Sequence, residues 1–128
     1  MTTAAQLRSR YARDSVTTAS PVRLVTMLYD RLVRDLDDAE LAISASNLQG
    51  AHNALRHAQD IVQELAGSLD TASWSGGEGL QSLYMWLMEQ LVAANLTKDA
   101  CLLTGCREVI EPLREAWHKA ANAQSVAS

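Results

Sequence analysis

Between Pro21 and Trp117 the apolar residues return every three or four positions, in four runs separated by short polar breaks. That spacing marks one face of an α-helix and leaves no stretch with the alternation of a strand. In the first run Leu24, Leu28, Leu32, Leu36, Ala39 and Ile43 form the stripe, widened by Val25, Tyr29 and Val33. A helix is expected from Pro21 to about Ala45. Ser20 is its N-cap and Pro21 takes the first helical position, where a missing N–H costs nothing. After a turn at Ser46–Gly50, the second run places Ala51, Ala54, Leu55, Ala58, Ile61, Val62, Leu65 and Leu69 inward. A loop from Asp70 to Gly79 follows, in which Ser75 and Glu78 have the spacing of a capping box. The third run passes through Leu80, Leu83, Tyr84, Leu87, Met88, Leu91 and Val92 to about Asn95. The fourth starts near Thr97, carries Leu102, Leu103, Cys106, Val109, Ile110, Leu113 and Trp117, and frays near Ala121.

Four amphipathic helices with short connections define an all-α fold, an antiparallel up-down four-helix bundle. The vocabulary agrees: there is no Phe, only 2 Pro and 6 Gly, and 48% of residues are hydrophobic, enough for a core. Residues 1–19 read as a polar N-terminal arm or cap, 20–122 as the bundle and 123–128 as a disordered tail. Two residues work against the fourth helix. Gly105 costs about 1 kcal/mol relative to Ala in a helix interior. Pro112 removes an amide and clashes one turn back, at Glu108, for about 3 kcal/mol, so a bend is expected there.

Charge narrows the function. The arm is net +2 through Arg8, Arg10, Arg13 and Asp14, and the remaining chain is net −6 with only two lysines. An acidic body does not suit nucleic acid, whose phosphates require clustered cations. Cys101 and Cys106, the 2 cysteines, read as reduced core thiols of a cytosolic protein. No secretory signal is visible, and no window approaches the ~18 apolar residues of a membrane span, so no membrane insertion is expected.

Catalytic patterns are thin. Glu115-x-x-His118 has the ligand spacing of di-iron bundles, but those need a second such pair and two more inward glutamates. The inward faces of the first three helices read as free of carboxylates, so no metal is expected. His52 and His57, five apart on the second helix, allow the alternative of a histidine phosphotransfer bundle. That pattern has a basic residue three after the histidine and then Gly, whereas Arg56 is four after His52, and both histidines read as solvated. Neither thiol has an activating base nearby in sequence. Gly76-Gly77 leads into Glu78, which would repel phosphate. No enzyme activity and no cofactor are expected.

What remains is binding. Leu7, Tyr11 and Val16 are apolar points in a polar arm, and Gly79 to Met88 is an uncharged run that puts apolar side chains all round the third helix. Grooves between such helices receive amphipathic partner segments.

Several segments, in order along the chain, resemble the flagellar secretion chaperone FliS family. They are Tyr11 with Val16 and Thr18-Ala-Ser-Pro21, Leu24-Val-x-Met-Leu-Tyr-Asp30, Ile61-Val-x-Glu-Leu-x-x-Ser-Leu-Asp70, Gly76-Gly-Glu78, Leu83-Tyr84, Ala94-Asn-Leu-x-x-Asp99 and Leu113-Arg-Glu-Ala-Trp117. The resemblance implies a bacterial cytoplasmic export chaperone. It would bind the C-terminal segment of flagellin, prevent premature polymerisation and deliver the client to the flagellar type III export gate. It also implies that Tyr11 folds back over part of the client groove. Candidate client and cap residues are Leu7, Tyr11 and Val16 in the arm, Leu24, Met27 and Leu28 in the first helix, and Tyr84, Trp86 and Met88 in the third. A homodimer, with or without exchange of the arm, is compatible with the sequence.

Overall fold

The computed structural model describes residues 3–6, 21–69 and 75–127, with side chains up to residue 123. Four long helices account for most of it: α1 (Pro21–Ser44), α2 (Leu48–Gly67), α3 (Gly77–Thr97) and α4 (Ala100–Ala127). α1 packs on α2 and α4, and α3 packs on the same two, so the helices form a closed ring of four around one core. Leu32, Leu36, Leu55, Ile61, Leu87, Leu91, Leu103 and Ile110 are its fully buried centre. All eight belong to the apolar stripes of the sequence, and the all-α bundle expectation holds.

The tight reversals have local causes. Ser46 turns the chain at φ 58°, and the Asn47 side chain then caps α2 by accepting from the Gly50 amide at 3.0 Å. Lys98 closes α3 in the left-handed region, at φ 54°, with its amide donating to the Ala94 carbonyl. Its ammonium bonds the Asn95 side-chain oxygen at 2.6 Å, and Asp99 Oδ1 accepts from the Cys101 amide at 2.9 Å to open α4. Both left-handed residues carry side chains, so each turn holds a small amount of strain at the same end of the bundle.

Several expectations change. α3 begins with Gly76 as N-cap and no side-chain cap, so Ser75 and Glu78 do not form the expected capping box. A reciprocal box occurs instead at Thr3 and Gln6, whose side chains accept from each other's amides at 3.1 and 2.9 Å, and residues 4–6 are helical. α4 runs through Pro112 without ending and continues to Ala127, so 123–127 are helical where a disordered tail was expected. Ala-rich sequence sustains a helix after packing gives out; Ala121 is the last buried side chain described. The inward faces also hold carboxylates after all: Asp35, Asp60 and Glu64 are buried. Finally, Cys106 is buried but Cys101 is exposed. Ser20, Leu7, Tyr11, Val16 and most of the arm lie outside the described residues.

Candidate functional site

α3 is apolar on two opposite sides. Leu80, Tyr84, Leu87, Leu91 and Ala94 recur at helical spacing and are buried in the core. On the far side Met85, Val92 and Leu96 are 60%, 39% and 82% exposed, at intervals of seven and four residues, one line along the helix. Glu89 lies between them and, with Glu78, is the only charge on α3. A bundle helix needs one buried stripe; this one carries a second that the bundle does not cover.

Trp86 leans from this face toward α4 and remains 37% exposed. The tip of its ring lies over Gly105: a Cβ built there would stand 3.9 Å from Cη2. Leu102 and Val109, one turn either side of Gly105, and Leu113 beyond them pack against the core while only half-buried. The boundary of α3 and α4 is thus an apolar seam, and among the described residues no side-chain hydrogen bond or ion pair crosses it.

The opposite side of α4 is charged and tied to α1. Asp30 Oδ1 accepts from Arg114 Nε at 2.6 Å and from His118 Nε2 at 2.7 Å. Arg107 reaches Asp37 at 2.7 Å, Glu40 at 3.0 Å and Glu111 at 3.7 Å. Such exposed pairs are individually weak, ~0–1 kcal/mol each, but together they set how α4 lies on α1.

Several polar side chains beneath the apolar surface pair across the helices. The hydroxyls of Tyr29 and Tyr84 hydrogen-bond at 2.6 Å across the bundle, joining α1 to α3. Burial pushes both phenols up, so both stay neutral. Asp35 of α1, fully buried, accepts from His57 Nδ1 of α2 at 2.5 Å. Arg31 Nε is 3.1 Å from the other oxygen, in charge contact but off the hydrogen-bonding line. Burial raises the Asp35 carboxyl above the ordinary carboxylate value, while His57 and Arg31 pull it back. His52 engages Asn95 of α3. The histidines read as solvated therefore both have protein partners, and His57 is half-buried.

Of the sequence-derived candidates, Leu24 and Met27 are half-buried near the start of α1, and Met88 is half-buried on α3. Leu28 and Tyr84 are core residues, at 7% and 2% exposure. Trp86 is at the surface, beside Met85, Val92 and Leu96. Leu96 was missed and Val92 was read only as part of the inward run. Their signal was the line through Met85, Val92 and Leu96, hidden because every neighbour on α3 is apolar too. For metal, Glu115 pairs with Lys119 and His118 with Asp30, and among the described residues no three His, Cys, Asp or Glu side chains converge. The Cys106 thiol is pushed up to about 11 by burial, which makes it a poor nucleophile.

A bundle with paired polar groups and an uncovered apolar face is suited to holding another chain, and family comparison says which kind of bundle it is. The sequence profile of the flagellar protein FliS matches residues 3–124. The chain belongs to the FliS family. The flagellar secretion chaperone FliS of Bacillus subtilis is 30% identical over 115 residues, 89% of this chain and 85% of the relative. Flagellar secretion chaperone FliS of Escherichia coli is 31% identical over 106 residues, 81% and 78% of the two chains. That of Campylobacter jejuni is 28% identical over 120 residues, 91% and 92%. FliS membership supports an export-chaperone role in flagellum biogenesis. No helix among the described residues is long and apolar enough to cross a membrane.

Proposed function

We propose that this FliS protein binds the C-terminal segment of flagellin, keeps it from polymerising and hands it to the flagellar export gate. The observation that carries this reading is the outer face of α3. Met85, Trp86, Val92 and Leu96 lie uncovered beside the half-buried Leu102, Val109 and Leu113 of α4, on a bundle of a chaperone family. A segment that self-assembles through apolar helical faces is neutralised when those faces are lent a substitute groove. Ordering of the bound segment lowers affinity per area, which suits later release. In this reading Trp86 and Met88 contribute groove surface, Leu28 and Tyr84 support the bundle from the core, and Leu24 and Met27, on α1 across the ring from α3, are a separate client contact away from that groove. Leu7, Tyr11 and Val16 supply a displaceable cap.

The test is co-elution. A flagellin fragment containing the C-terminal segment should run with the chaperone as a stoichiometric complex, measured by size exclusion with light scattering. The same flagellin lacking that segment should elute apart. Equal co-elution of both, or of neither, overturns the proposal.

A further inference from the structure

The exposed line on α3 has a period of its own. Ser82, Met85, Glu89, Val92 and Leu96 are all exposed and follow one another at intervals of three, four, three and four residues. That alternation is the seam of a coiled coil two heptads long, in which side chains of a second helix seat between those of the first. The line spans about 21 Å at 1.5 Å per residue, room for about four turns of a partner helix. Glu89 is its midpoint, with two positions on either side, and its only charge. α3 has no basic residue, so Glu89 has no cation one turn away on its own helix. Among the described residues no side chain of another helix pairs with it either. By contrast Asp30, Asp37 and Glu40 of α1 and Glu115 of α4 each hold a basic partner.

One polar or charged position in an apolar seam specifies which helix fits and in which register, at a cost in stability. Two copies of this face do not suit each other. Paired in register, parallel or antiparallel, the midpoint of one line meets the midpoint of the other, and Glu89 faces its own copy; like charges so placed repel. A wholly apolar partner helix strands the carboxylate as water leaves it. A cationic side chain at the facing position removes both penalties.

We propose that the outer face of α3 receives one amphipathic helix of the client, with an Arg or Lys of that helix set against Glu89, and that this pair fixes the register. The proposal rests on the client reading above and adds the chemistry of what is bound: apolar residues at three-four spacing with a cation among them.

A designed probe tests this without flagellin. A fluorescein-labelled amphipathic helical peptide carries Leu at its seam positions and one guest, Lys, Gln or Glu, at the central one. It is titrated with the full-length chain by fluorescence anisotropy. The Lys guest should bind the wild type about tenfold tighter than the Glu guest, with Gln between them. The advantage should shrink as salt is raised. On Glu89→Lys, a substitution at an exposed position, the order of the guests should reverse. Equal affinity for the three guests, an order that Glu89→Lys leaves as it was, or no binding of any guest overturns the proposal.

Flagellin is the second arm. A peptide of its C-terminal segment is titrated with each Arg and Lys changed singly to Glu. One of these changes should cost about tenfold in binding to the wild type and be restored by Glu89→Lys, the signature of a direct pair. If the peptide binds and Glu89→Lys restores none of the changes, the proposal is overturned. If the guest order holds and reverses while the flagellin peptide does not bind, the preference of this face for a cation stands and the flagellin reading fails.

Discussion

Single residues show how closely this small core is balanced. Asp35 is a buried carboxyl group whose burial, the largest influence, raises it against the opposing pull of His57 and Arg31. Its carboxyl is raised in the folded chain, so the native state holds its proton more tightly than the unfolded one. The associated stability is present below the ordinary value of 3.8 and is lost as pH rises through the folded value. Asp35→Asn cannot lose it. The stability of the variant relative to wild type, from urea titrations across pH 4 to 7, should therefore rise with pH and then level off; a flat difference would contradict the account. The two thiols should separate cleanly as well. Cys101 is exposed, whereas Cys106 is buried and raised to about 11. A thiol reagent at pH 8 should modify one cysteine of the native chain at once and the second only on unfolding. Trp117 packs against the core, half-buried, with its indole close enough to influence the Tyr29 phenol. Trp117→Ala should cost about 2–4 kcal/mol in chemical denaturation, below the loss for a fully buried tryptophan.

Helix α4 is the element with most internal conflict. Gly105 and Pro112 both disfavour it, yet it is continuous over 28 residues because Leu103, Cys106 and Ile110 are buried and Arg107 and Arg114 anchor it to α1. Pro112 is exposed, so restoring an amide there meets no packing obstacle. Pro112→Ala should stabilise the protein by about 1–3 kcal/mol, read from the denaturation midpoint, and a loss of stability would show that the proline is needed for packing. The helices themselves were legible in the sequence, since Leu28, Leu32, Leu36 and Leu55, Ile61, Leu65 reveal a buried face by spacing alone. Their caps were less so. Ser75 and Glu78 have the right residues at the right spacing, but helix α3 starts at Gly77, and spacing does not fix the register of a start within a glycine pair. The pairing of Asp35 with His57 was invisible because its partners are 22 residues apart and only the packing of α1 on α2 joins them. The candidate face was half legible: the apolar run of α3 stood out, but which side the core would claim depended on where α2 and α4 lie.

For the whole molecule, an acidic bundle bears an apolar face larger than its own core requires. That is a liability in the free state, because uncovered apolar patches promote self-association. In the proposed function the arm covers part of it. Removing residues 1–15 should leave the helical circular dichroism signal intact, raise hydrophobic-dye binding, and leave affinity for the flagellin segment equal or tighter. A tenfold loss of affinity, about 1.4 kcal/mol, would make the arm a client contact instead.

If the outer face of α3 receives the client, charging that face removes binding. Val92→Glu and Leu96→Glu, combined, put two carboxylates into the proposed groove without touching a buried side chain of the core. Calorimetric titration of the flagellin C-terminal fragment should show binding to the wild type and at least about a hundredfold loss in the variant, as expected when charges are buried unpaired, with the thermal midpoint unchanged. Equal affinity of the two proteins would contradict the account.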